Sequence, residues 1–245
     1  MFERMFNMYS LYIPKYQNER GEFLITKVIR EYTERAPELN CILSSPGYLS
    51  NKINTIDLFV DKMCGSVLHR SPLSIGLFNG MNGNNPLGKT TIVEYHNMRF
   101  REYGINALTI NCKKQKDHRK MMFFIYEPGN YSQEIKMLNN NSGDKTDFID
   151  WYINSIKVKG ILIGSSNQSH NTYFSYDASK GEADLLMFTD EIFAKHMINR
   201  INLGSNYPND NFDGCVLSKS IAGCIDDGED YLNSILKDFL LNNIL

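Results

Sequence analysis

His118 and Lys120, separated by one residue, head the run Lys120-Met121-Met122-Phe123-Phe124-Ile125-Tyr126, behind a basic lead-in of Lys113, Lys114, Lys116 and Arg119. The apolar and aromatic run predicts a strand reached through a basic loop. Side chains alternate across a strand, so the imidazole and the ammonium share a face. Such a pair suits attack on a phosphate and neutralisation of its charge. Downstream, Gly160-Ile161-Leu162-Ile163-Gly164-Ser165-Ser166-Asn167 predicts a second buried strand, whose small polar end could turn Ser165 and Asn167 toward the same spot. A strand-ending turn is the plainer reading of Gly164 to Asn167, since these residues favour turns anyway. The four cations of the lead-in suit backbone contacts with a polyanion, or a solvated loop.

The elements that must position these groups follow from apolar spacing. Phe23 to Glu34 predicts a helix with Phe23, Ile25, Val28, Ile29 and Tyr32 apolar, and Pro37 lies beyond its end. Ile42 to Gly47 reads as a short strand and turn. Ile56 to Val60, Ser74 to Phe78 and Asn106 to Ile110 read as core strands. Helices are expected over Thr90 to Tyr103, Asp147 to Ile156, Thr189 to Ile201 and Glu229 to Leu241. This alternation predicts an α/β sandwich, a mixed sheet between helices. The chain reads as one domain over 1–245. Its core lies at about 55–190, with 1–54 extending the sheet and helix layer and 191–245 mostly helical.

His118-x-Lys120, Gly164-Ser165-x-Asn167 and Glu182, in this order, resemble the phospholipase D superfamily. Within it they are similar to the nuclease branch of BfiI-type metal-independent restriction endonucleases. Ile75-Gly76-Leu77-Phe78-Asn79-Gly80-Met81 is similar to the strand and glycine turn before that family's first helix. The resemblance covers roughly residues 55–190. It departs at Ile125, where the superfamily's usual pattern has an aspartate, and in the long interval between Lys120 and Gly164. The nuclease branch often lacks that aspartate, so the departure points away from lipid-type activity.

The resemblance implies a phospholipase D-like fold with one catalytic repeat per chain, and a two-step phosphodiester exchange without metal or other cofactor. One histidine attacks phosphorus to give a phosphohistidine. A second protonates the leaving oxygen and then activates the resolving water. With one His118 per chain, either two chains pair about a twofold axis or the chain is inactive; a homodimer with a composite site is expected. Lys120, Asn167 and Ser165 would hold the non-bridging oxygens, and Glu182 would fix the histidine tautomer. DNA is the implied substrate, and restriction or another defence against foreign DNA the implied context. The segment after Asp190 is short and helical, so sequence specificity is expected from a partner protein or not at all.

A rival motif is present. Gly83-Asn84-Asn85-Pro86-Leu87-Gly88-Lys89-Thr90 matches G-x-x-x-x-G-K-[ST], and a predicted helix follows. It would cradle phosphate with Lys89 as its charge and Thr90 as a magnesium ligand. A catalytically silent DNA- or partner-binding module is the third reading. With a net charge of −2, any nucleic-acid binding must rest on locally gathered cations. Cys41, Cys64, Cys112, Cys215 and Cys224 form no C-x-x-C pair, which fits reduced thiols in a cytoplasm. No apolar run approaches the ~18 residues of a membrane span, so no membrane partner is expected. His69, His96, His170 and His196 are expected to be surface or satisfied core residues.

Overall fold

Met121 to Ile125 is a run of five apolar side chains, and each is buried. A strand apolar on both faces must lie inside a sheet covered on both sides. The computed structural model describes residues 6–14, 24–36, 38–46, 74–79, 86–87, 90–104, 107–111, 119–129, 131, 134, 145–165, 183–203, 212, 214–222 and 228–244. In chain order the elements are β1 (Phe6–Pro14), α1 (Leu24–Arg35), β2 (Cys41–Pro46), β3 (Ser74–Asn79), β4 (Pro86–Leu87), β5 (Thr90–Thr91), α2 (Ile92–Glu102) and β6 (Ala107–Asn111). Then come β7 (Lys120–Tyr126), α3 (Lys145–Ser155), β8 (Lys157–Gly164), β9 (Ala183–Phe188), α4 (Glu191–Leu203), β10 (Val216–Ala222) and α5 (Gly228–Ile244).

Eight strands form one mixed sheet in the order β10-β1-β9-β8-β7-β2-β3-β6. The six from β10 to β2 run antiparallel to their neighbours, whereas β2, β3 and β6 are parallel. Alternation along β7 divides the core. Met122 and Phe124 join Tyr32 of α1, Phe100 of α2 and Phe193 of α4 on one face. Met121, Phe123 and Ile125 join Ile149 and Tyr152 of α3 and Leu236 and Phe239 of α5 on the other. Each such side chain, fully buried, stabilises by about 1.5–3 kcal/mol. Tyr32 locks the first layer: its ring meets Phe124 edge-on at 5.0 Å, and its hydroxyl donates to the Lys159 carbonyl at 3.0 Å. A β-carbon at Gly160 would lie 2.8 Å from that hydroxyl, so glycine is what lets α1 sit this close to β8.

The expected helices are present within a few residues, as are the strands at 74–79, 107–111 and 120–126. The strand expected at Ile56 to Val60 lies outside the described residues. Two strands of the eight-stranded sheet escaped the sequence, as did the short β4–β5 hairpin. β1 lies between β9 and β10 and is apolar at Met8, Tyr9, Leu11 and Ile13, so it shows no clean alternation. β10 is an edge strand whose Ser218, Lys219 and Ser220 are exposed, and such a polar run reads as a loop. The N-terminal residues therefore supply two strands of the sheet itself, one of them, β2, between β3 and β7.

Candidate functional site

At one end of the sheet β2, β3 and β6 finish, β7 begins, β8 finishes and β9 begins. The register fixes the level: Lys120 opposes Pro46, Met121 opposes Ile163, Gly164 opposes Asp184, and Ala183 opposes Pro14. Lys120, Gly164 and Asp184 thus share one level on three neighbouring strands. Open α/β sheets bind ligands beyond the carboxyl ends of their parallel strands, and this is that end.

Hydroxyls from β2 fix the head of β7. Ser45 donates to the Arg119 carbonyl at 3.0 Å and Ser44 to the Met121 carbonyl at 3.2 Å, and both serines are fully buried. These bonds grip the carbonyls of the two residues that flank Lys120. By alternation Lys120 lies on the face of Met122 and Phe124, half-buried beside the α1 and α4 layer. Arg119 turns to the opposite face, where its guanidinium meets Asp238 at 3.2 Å and lies 5.1 Å from the Phe239 ring centre. Arg119 therefore ties the head of β7 to α5. The Asp238 carboxylate is mostly exposed, and such a pair is worth at most about 1 kcal/mol.

Ser165 clasps the start of β9. Its N–H donates to the Ala183 carbonyl at 3.2 Å, and its Oγ accepts from the Ala183 N–H at 3.2 Å and donates back to that carbonyl at 3.4 Å. One lone pair of the exposed hydroxyl remains for a ligand. His118, Asn167, Glu182, Lys113, Lys114 and Lys116 lie outside the described residues. The structure thus brings Lys120 and Ser165 to the same end and sends Arg119 to the other face. It adds three residues that sequence reasoning missed: Ser44 and Ser45, which read as turn formers, and Asp184. The signal for Asp184 was a carboxylate at the buried parity of a strand, since Leu186 and Phe188 follow it on the same face.

The rival phosphate loop fares differently. Leu87 and Thr90 pair in a short hairpin, and Gly83, Gly88 and Lys89 lie outside the described residues. The helix starts only at Ile92, with Thr91 as its cap. The Thr91 hydroxyl accepts from the Glu94 N–H at 3.2 Å, and the Thr91 N–H donates to the Glu94 carboxylate at 2.8 Å. The Thr91 N–H, and after it the Thr91 hydroxyl, which donates to the same carboxylate at 2.9 Å, hold the Glu94 carboxyl below its usual range. A carboxylate already occupies the helix end where a phosphate would sit. Asp190 accepts from the Phe193 N–H at 2.8 Å as the cap of α4.

Two other histidines are structural. His96 is buried in α2 and its pKa falls to about 4 through desolvation, so it stays neutral. His196 bonds Glu31 at 2.5 Å and joins α4 to α1. Among the described residues no group of three or more His, Cys, Asp or Glu side chains is placed to hold a metal ion, and no helix is long and apolar enough to cross a membrane. No protein-family model matches the chain, and no curated protein sequence is significantly similar to it.

Proposed function

We propose that this chain is a phospholipase D-like endonuclease of the metal-independent branch. It hydrolyses DNA phosphodiester bonds through a phosphohistidine at a site shared by two chains. The observation that supports the reading best is the shared level of Lys120, Gly164 and Asp184 at the carboxyl end of the parallel strands. In sequence His118 is two residues from Lys120, Asn167 two from Ser165, and Glu182 next to Ala183. Each residue advances the chain by at most about 3.6 Å, and adjacent strands lie about 4.8 Å apart. In this reading one substrate phosphate meets His118, Lys120 and Asn167 at that end of the sheet.

In this reading His118 attacks phosphorus and Lys120 neutralises the oxygens. Ser45 and Ser44 matter because a cation that stabilises a transition state must not reorganise. Ser165 serves chiefly by fixing the start of β9, next to Glu182 in sequence; to hold a phosphate oxygen its hydroxyl proton would swing from the Ala183 carbonyl to the ligand. Lys113, Lys114 and Lys116 are the remaining backbone contacts to the polyanion. The homodimer follows from there being one His-x-Lys pair per chain. Restriction or a related defence in the cytoplasm is the setting that fits.

The test is plasmid cleavage in excess EDTA. Wild-type chain and Lys89→Ala should cleave, while His118→Ala should lose at least about a hundredfold in rate. Cleavage that His118→Ala leaves untouched, or no cleavage by a folded wild-type dimer on any DNA, would end this assignment.

A further inference from the structure

Trp151, the only tryptophan of the chain, is 43% exposed on α3 although two other rings pack against it. Its indole meets the Tyr131 ring edge-on, with 4.9 Å between centres and 75° between planes, and the Phe148 ring at 5.5 Å. Phe148 stacks in turn on Tyr152, whose hydroxyl is tied to buried Glu127, so the group is rooted in the core. Tyr131 also rests on Gly129: a β-carbon there would lie 2.7 Å from its Cε1 and Cζ. Two rings near a right angle, one of them wet, thus form a corner that is built before any ligand arrives.

The uncommitted charges beside this corner are negative. Asp147 is exposed one turn before Trp151 on the same side of α3. Glu134 is exposed one tight turn after Tyr131, its N–H donating to the Tyr131 carbonyl at 2.8 Å. Neither carboxylate makes an ion pair or hydrogen bond among the described residues, whereas Asp150 pairs with Lys237 at 2.7 Å. The other described lysines of this end, buried Lys145 and exposed Lys157, have contacts of their own. Aromatic faces carry the negative side of the ring quadrupole and attract cations, arginine above all. The same carboxylates repel phosphate.

We infer that this corner binds a cationic side chain presented by a partner protein, with the rings of Trp151 and Tyr131 against the cation and Asp147 and Glu134 as its counter-charges. The inference goes beyond the nuclease reading and does not depend on it. The corner lies about 20 Å along β7 from Lys120, so a DNA-reading partner seated there leaves the candidate site open.

A single tryptophan makes its fluorescence the readout. Titrating the full chain with acetyl-Gly-Arg-Gly-Arg-Gly-amide should change the emission saturably. The same peptide with citrulline for arginine, which keeps the shape and loses the charge, should not. Asp147→Asn and Glu134→Gln should each weaken binding about two- to fivefold, and Tyr131→Ala about fivefold or more. Gly129→Ala, which pushes the Tyr131 ring aside and alters no charge, should weaken it as well. Equal binding of the citrulline peptide, no saturable change with the arginine peptide, or a change produced by an oligothymidylate in its place each overturns the inference. Plasmid cleavage by Asp147→Asn and Tyr131→Ala should match wild type, so failure of the nuclease reading leaves the fluorescence result standing.

Discussion

Strand β7 runs between two buried carboxylates that are managed in opposite ways. At its far end Glu127 is closed in. The Tyr152 hydroxyl donates to it at 2.5 Å, and the Asn40 side chain bridges its backbone N–H and carbonyl at 2.7 and 2.6 Å. Both Glu127 and Tyr152 are sealed beneath α3. At the near end Asp184 lies over Gly164, at the level of half-buried Lys120 two strands away and beside exposed Ser165. Both ends spend side-chain hydrogen bonds on gripping backbone. Of the two ends of β7, only the near one carries a partly exposed charged group, Lys120. A buried carboxylate is thus not by itself a sign of chemistry; what it faces decides.

Four substitutions probe that contrast. Lys120→Ala should cause the largest change, a loss of at least about a hundredfold in kcat/KM for DNA cleavage with near-normal urea unfolding. Equal activity of this variant and wild type would erase the distinction between the ends. Tyr152→Phe should do the reverse, lowering stability by about 1–3 kcal/mol in urea because Glu127 loses its donor, while kcat holds. This phenol is held well above its usual range by burial, then by Cys41 and Glu127. A raised folded pKa stabilises fully below the unfolded value of about 10 and is lost as pH climbs past it. Wild type should therefore weaken above pH 10 in a way that Tyr152→Phe does not. Thr91→Ala, at neither end, should cost about 1 kcal/mol through the lost cap. Its cleavage should be normal, because that helix end is sealed by Glu94. Arg119→Ala should change least: a few tenths of a kcal/mol in stability, and a small drop in the salt dependence of DNA binding if the Asp238 pair opens to phosphate.

Much of the near end was legible because its signals are local. A basic lead-in, an apolar run and a glycine-ended strand are written in consecutive residues, and β7 and β8 fall where those patterns put them. The far end was silent. Asn40, Glu127, Tyr152 and Cys41 are scattered, and only the packing of α3 onto β7 and β2 brings them together. Ser44 and Ser45 show the same limit, since a serine in a turn-like segment gives no hint that its hydroxyl will grip another strand's carbonyl.

By itself the sequence determined most of the strands and helices that bury a face, β1 excepted, because apolar period follows backbone geometry. It also set which residues flank which along the chain, and so where a histidine, a lysine and an asparagine could gather. It did not determine that β1 enters the sheet beside β9, that Arg119 and Lys120 part to opposite faces, or that Asp184 lies over Gly164. Those depend on register between strands far apart in the chain. A shift of one residue in that register would reverse every facing.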